Sequence, residues 1–237
     1  MLLKRQLATL IRTFDECETV KTTEFQLSAP ITPKPGQCCT YFLLKEDGSF
    51  GEGRVYSISS SPLLTDKVSI TYRMTPNFPT KLQSVKPGDK MGFFGPYGNF
   101  VFDDSAESVV FMAGGVGAAP LLSMIRYIDE KRLPTKMILI HSNRIVQETP
   151  FLQYLKDLQQ RNANFKYVLD LTRPAESAPW DGVKEEGHLT QEMLKRHVPE
   201  PEKQNYYVCG PPRYTHGAFE VLKGLGVKSE QIKFEQW

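Results

Sequence analysis

The stretch Ser108–Ile125, SVVFMAGGVGAAPLLSMI, runs for eighteen residues without a charge. Its length imitates a membrane span, but Gly114, Gly115, Gly117 and Pro120 stand in its middle, which one regular helix does not tolerate. It divides instead into a buried strand over Ser108–Ala113, a glycine turn, and a helix from Ala118. Glycines let a backbone approach a pyrophosphate, and the helix start offers free N–H groups and positive partial charge. Pro120 suits a first helical turn, where its missing N–H costs little. The spacing is G-G-x-G-x-x-P rather than G-x-G-x-x-G. Alone it also describes a tight strand–helix turn that binds nothing.

Outward from this turn the chain has two grammars. Downstream, strands alternate with helices: Lys136–His141, Phe165–Leu171, Tyr206–Cys209 and Gln231–Glu235 read as strands. Ala118–Arg132, Pro150–Arg161, Thr190–Arg196 and Arg213–Leu225 read as helices. Such alternation implies an α/β doubly wound parallel sheet. Upstream, short β-prone runs at Thr22–Ser28, Gln37–Leu44, Arg54–Ser59, Lys67–Arg73 and Lys90–Phe94 are separated by turn clusters, among them Glu46–Gly53. They imply an antiparallel β-barrel, with one short helix over Thr80–Val85. The boundary falls at Asp103–Ser105, giving domains 1–104 and 105–237.

The chain has 237 residues with 29 basic and 27 acidic side chains, a net charge of +2. That balance lends no support to a nucleic-acid or membrane-surface partner. Cys17, Cys38, Cys39 and Cys209 form no C-x-x-C pair, so neither an iron–sulfur cluster nor a structural zinc site is expected, and no metal site is assigned. Redox chemistry would then need an organic cofactor. The sparse cysteines fit a reducing compartment, and a cytoplasmic location is expected. Met1–Phe14 carries Lys4, Arg5 and Arg12 among apolar residues but lacks the core of a signal peptide, and Asp15, Glu16 and Glu18 argue against a transit peptide.

Three further elements are individually weak. Arg54-Val55-Tyr56-Ser57 ends a barrel strand and supplies a forked cation, a flat ring and a small donor. Cys209-Gly210-Pro211-Pro212 ends a parallel strand at the edge where ligands bind. Glu235-Gln236-Trp237 closes the sequence on an aromatic. In order, Arg-x-Tyr-Ser, Gly-Gly-x-Gly-x-x-Pro, Cys-Gly-Pro-Pro and a terminal Glu-x-aromatic resemble the ferredoxin–NADP reductase family, from about Leu7 to Trp237. Gly95-Pro96-Tyr97-Gly98 and Ser142-Asn143-Arg144 agree with it. Asn77-Phe78-Pro79 precedes Thr80 where that family usually has glycine.

The resemblance implies a flavin-binding barrel followed by an NAD(P)-binding domain. By motif, Arg54 would hold the FAD diphosphate, Tyr56 would pack on the isoalloxazine, and Ser57 would hydrogen-bond near flavin N5. Tyr72 and Arg73 would meet the ribityl and phosphate region, and Thr80 the diphosphate. Gly114, Gly115 and Gly117 would admit the NAD(P) diphosphate. Cys209 and Glu235 would flank the nicotinamide beside Gly210, and Trp237 would cover the flavin. The catalytic set is thus Ser57, Cys209 and Glu235. The cofactor is FAD, with FMN as the alternative, and NADPH or NADH is the substrate. The implied activity is hydride transfer to flavin, then electron delivery to a one-electron acceptor such as a ferredoxin, a flavodoxin or an oxygenase component. A non-catalytic flavin- or nucleotide-binding docking subunit is the alternative; retention of Ser57, Cys209 and Glu235 together argues against it. The second α/β strand ends His141-Ser142-Asn143-Arg144 with no adjacent acid, so Arg144 is expected to meet a 2′-phosphate, which favours NADPH.

Overall fold

The computed structural model describes residues 5–236, so Trp237 lies outside the described residues. The chain forms two compact units: one through Phe102 together with Leu122–Tyr127, the other Asp103–Leu121 with Ile128 onward.

The first unit is a six-stranded antiparallel sheet in the order β4-β3-β6-β1-β2-β5. Its strands are β1 (Arg5–Cys17), β2 (Val20–Leu27), β3 (Cys38–Leu44), β4 (Phe50–Ser57), β5 (Lys67–Arg73) and β6 (Lys90–Tyr97), with a short helix α1 (Phe78–Leu82). An Ile58–Ile70 bridge and the Ser59 N–H donated to the Ser69 carbonyl join the two edge strands, closing the sheet into a barrel. The alternation expected of half-buried strands turns Leu10, Phe25, Tyr41, Ile70 and Phe93 inward into one core.

Within the amino-terminal stretch, Arg5–Cys17 is a strand that pairs with β6 over Arg5–Thr9 and with β2 over Ala8–Cys17. Its outer half is exposed, and Arg12 pairs with Glu24 on β2 at 2.7 Å. β4 begins at Phe50, inside the expected turn Glu46–Gly53. Gly48 turns the chain with φ +78°, whereas Gly53 makes room: a Cβ on it would stand 2.4 Å from the Phe42 ring, as one on Gly92 of β6 would stand 2.7 Å from Phe50. The Phe42 and Phe50 rings lie 5.2 Å apart with the Arg5 guanidinium over both.

The second unit is a parallel six-stranded sheet in the order β10-β9-β8-β7-β11-β12. The strands are β7 (Ser108–Gly114), β8 (Lys136–Asn143), β9 (Phe165–Leu171), β10 (Lys184–Glu186), β11 (Asn205–Gly210) and β12 (Ile232–Gln236). Helices α2 (Ala118–Glu130), α3 (Leu152–Arg161), α4 (Gln191–His197) and α5 (Pro212–Gly224) connect them. β7 is buried from Val109 to Gly114, as a central strand covered on both faces must be. On one face Val110, Met112, Ile140, Val168 and Val208 pack against Leu194, Ala218 and Leu222 of α4 and α5. The order reverses between β7 and β11, and that reversal defines the crevice where an open α/β sheet takes ligands. Among the described residues no helix is long and apolar enough to cross a membrane.

Candidate functional site

Gly114 ends β7 at the reversal, Gly115–Gly117 form a single 3₁₀ turn, and α2 starts at Ala118. An added Cβ at three of the glycines here meets something solid. On Gly117 it would stand 2.4 Å from the Cys209 carbonyl oxygen, on Gly114 2.8 Å from the Tyr214 ring, and on Gly210 2.8 Å from the same ring and 3.1 Å from Gly114. Gly115 has φ +56°, a left-handed conformation. The ends of β7 and β11 therefore approach more closely than side chains permit, and the first turn of α2 opens there. Backbone N–H groups at such a helix start suit an anion.

Cys209 is fully buried and lies opposite Ala113 on β7 and Glu235 on β12; Gly210 lies opposite Gln236. In a parallel pair, opposed residues share a face, so Cys209 and Glu235 stand on one face of the sheet beside the glycine turn. Ser142, one residue before the end of β8, lies opposite Gly114 and, on its other side, opposite Asp170 of β9. Its hydroxyl donates to Asp170 Oδ2 at 2.6 Å, while Asp170 Oδ1 is buried without a hydrogen-bond partner. Burial pushes the Asp170 carboxyl up to about 6, against the lowering pull of the Ser142 hydrogen bond. The Arg144 side chain is exposed.

The acid absent from the end of β8 in sequence is thus supplied in space by the next strand. Its trace in the sequence is a lone acid between Leu169 and Leu171 in an otherwise apolar run. Glu148, five residues beyond Asn143, has an oxygen buried without a partner as well.

In the first unit, residues 52–55 of β4 are exposed in succession, so Arg54 reaches solvent. Tyr56 is half-buried; its ring lies 5.7 Å from Tyr72 and 6.1 Å from Phe78, and its hydroxyl is buried without a partner. Burial raises the Tyr56 phenol pKa. Ser57 follows on the same strand. Tyr72 is only 3 % exposed, with its hydroxyl 3.0 Å from Thr23 Oγ1, so it backs the Tyr56 ring and presents little surface of its own. Arg73 donates to Thr19 Oγ1 at 2.9 Å. Thr80 is exposed on α1, its hydroxyl donating to the Thr75 carbonyl. Asn77, in the Asn77-Phe78-Pro79 stretch before Thr80, adopts φ +115°, a conformation glycine takes without strain.

Residues 111–218 match the oxidoreductase NAD-binding domain family. The chain is 35 % identical over 158 residues to one component of a Na⁺-translocating NADH-quinone reductase of Marinomonas sp., covering 65 % of this chain and 38 % of that protein. It is 31 % identical over 223 residues to the glycine betaine monooxygenase reductase subunit of Chromohalobacter salexigens, covering 91 % of this chain and 60 % of that one. The chain thus spans between about two fifths and three fifths of the length of these curated relatives. Among solved structures, a ferredoxin NADP⁺ reductase from Neisseria gonorrhoeae with bound FAD and NADP superposes with a TM-score of 0.80 at 21 % identity, covering 98 % of each chain. The closed antiparallel barrel followed by a doubly wound parallel sheet is the fold of that reductase, and residues 111–218 carry the matched oxidoreductase NAD-binding domain.

Proposed function

We propose that the chain is an NAD(P)H-dependent flavoprotein reductase that takes hydride from NADH or NADPH onto FAD and passes electrons singly to a protein acceptor. A ferredoxin, a flavodoxin or an oxygenase component fits that role; one relative is named as the reductase subunit of a monooxygenase. The observation that carries the reading is the glycine cradle, in which a Cβ at Gly114, Gly117 or Gly210 would strike the neighbouring strand end or the Tyr214 ring. A strand–helix turn that bound nothing would have no need of three such approaches at the sheet's reversal.

The residues present fit both groups. For the nucleotide, Gly114, Gly115 and Gly117 admit the diphosphate, Cys209, Gly210 and Glu235 line the nicotinamide end, and Ser142 and Arg144 stand at the ribose end. For FAD, the orphaned Tyr56 hydroxyl and the exposed run of β4 are the support. Arg54 faces the diphosphate as a charged donor. Tyr56, backed by Tyr72, offers its ring to the isoalloxazine. Ser57 holds a hydroxyl near N5, and Arg73 and Thr80 serve the phosphate region. The bound flavin supplies hydride acceptance and one-electron release. The protein orients the reacting atoms, with Ser57 and Cys209 acting as positioning contacts, and Glu235 steadies positive charge developing on the nicotinamide.

The test is an absorption spectrum of the purified protein after incubation with FAD, then anaerobic addition of NADH or NADPH. Bound flavin should bleach. A protein that takes up neither FAD nor FMN overturns the reading. Bound flavin that neither coenzyme bleaches would point to a docking subunit.

A further inference from the structure

His141 is fully buried near the end of β8, and nothing in the proposed reaction uses it. Its Nε2 lies 2.9 Å from the Gly115 carbonyl oxygen. A carbonyl oxygen can only accept, so Nε2 carries the proton. Burial pulls the imidazole pKa down to about 4, so the ring is neutral at ordinary pH and its Nδ1 is bare. That bare nitrogen faces the Tyr167 hydroxyl at 3.4 Å, which donates to it. Tyr167 is itself 1 % exposed and held edge-on by Trp180, with ring centroids 6.2 Å apart. The tautomer is therefore set from behind, and the donor points at one peptide of the glycine turn.

That peptide joins Gly115 to Val116. A peptide is planar and trans, so its C=O and N–H point in opposite directions. With the Gly115 oxygen held on His141, the Val116 N–H points away from His141. The Ala118 N–H also donates to the Gly115 oxygen, but that bond lies within the turn itself. Glycine at 115 leaves this peptide able to rotate at little steric cost. We infer that His141 is a positioning residue for the dinucleotide site: its Nε2–H locks the Gly115–Val116 peptide so that the Val116 N–H faces the coenzyme diphosphate. The inference rests on the proposed binding of a nicotinamide nucleotide at this turn.

The experiment uses the full flavin-loaded chain and ADP-ribose as the calorimetric probe, beside NADH kinetics and thermal unfolding. His141→Phe keeps a buried ring and removes the donor; His141→Gln restores an N–H at similar reach. One hydrogen bond predicts about 5- to 10-fold weaker ADP-ribose binding in His141→Phe and recovery to within about twofold in His141→Gln. The limiting rate of flavin reduction at saturating NADH should be unchanged, because only binding is affected. Wild-type affinity in His141→Phe, or a folded His141→Gln as weak as His141→Phe, overturns the inference. Should His141→Phe fail to fold, Tyr167→Phe carries the test. Releasing the tautomer should weaken ADP-ribose binding by about 2- to 3-fold, and an unchanged affinity overturns it. Failure of the wild-type protein itself to bind ADP-ribose is a different result, because it removes the nucleotide site.

Discussion

The barrel and the α/β unit present their candidate ligand groups by opposite means. β4 offers side chains: residues 52–55 are exposed in a row, and Arg54 and Tyr56 follow one another at alternate positions. The glycine turn offers backbone, with side chains stripped away so that strand ends can meet. A site made of side chains fails when one is truncated. A site made of backbone fails when a single methyl is added.

Addition should give the largest effect. In Gly117→Ala the new Cβ meets the Cys209 carbonyl, which cannot swing aside as a side chain tip could. A misfit of this kind costs up to about 3 kcal/mol. Stopped-flow reduction should show NADH affinity reduced by about 100-fold while flavin content stays at the wild-type level. Loss of flavin together with NADH affinity would mean that the two sites do not respond separately.

Deletion comes next. Arg54→Ala should weaken FAD retention by about 2 kcal/mol, the scale of a hydrogen bond to a charged group. Dialysis followed by flavin fluorescence reads it, and ADP-ribose binding by the same variant should not change. Arg144→Ala is a smaller and more selective deletion, expected to cost NADPH about 1.5 kcal/mol and NADH nothing. Equal losses in a side-by-side titration would show that Arg144 does not read a 2′-phosphate.

The smallest effect concerns stability. The Asp170 carboxyl titrates at about 6 in the folded chain, above its ordinary 3.8. As pH rises through this window the unfolded chain ionises first, so Asp170 lowers stability between about pH 4 and 6 and keeps it lowered above. Asp170→Asn should therefore gain about 1 kcal/mol over wild type at pH 7.5 and nothing at pH 3.5 in urea unfolding. His141 works the other way. With its pKa depressed from 6.5 to about 4, it remains neutral while the unfolded chain takes up a proton, so its share of stability is lost as pH falls through that range. In wild type this loss and the Asp170 gain oppose one another, so the readout is the difference: as pH falls from 6.5 to 4, His141→Gln should gain stability relative to wild type in urea unfolding.

What could be read from sequence follows the same division. β7, its turn and α2 were legible because an uncharged buried strand running into glycines leaves a one-dimensional trace. β5 was legible from β-branched residues between turns. β10 was not: Lys184–Glu186 are all charged, and only ladder hydrogen bonds to β9 make them a strand. Tyr72 read as ligand-facing, yet Thr71 and Tyr72 are both buried, because barrel closure near the Ile58–Ile70 bridge covers both faces of β5. Asp170 and His141 escaped for another reason. Their partners, Ser142 and Gly115, lie 28 and 26 residues away, and only the parallel register brings them together.

β1 has a consequence for the chain while it is being made. It can pair with β2 as soon as the hairpin through Glu18 and Thr19 emerges. Its other edge must wait for β6, which begins roughly 70 residues later. At about 5–20 residues per second of synthesis, that edge stays open on the ribosome for about 4–15 s. Arg5, Arg12, Asp15 and Glu16, with two register breaks along the strand, make it a poor template for a neighbouring nascent chain.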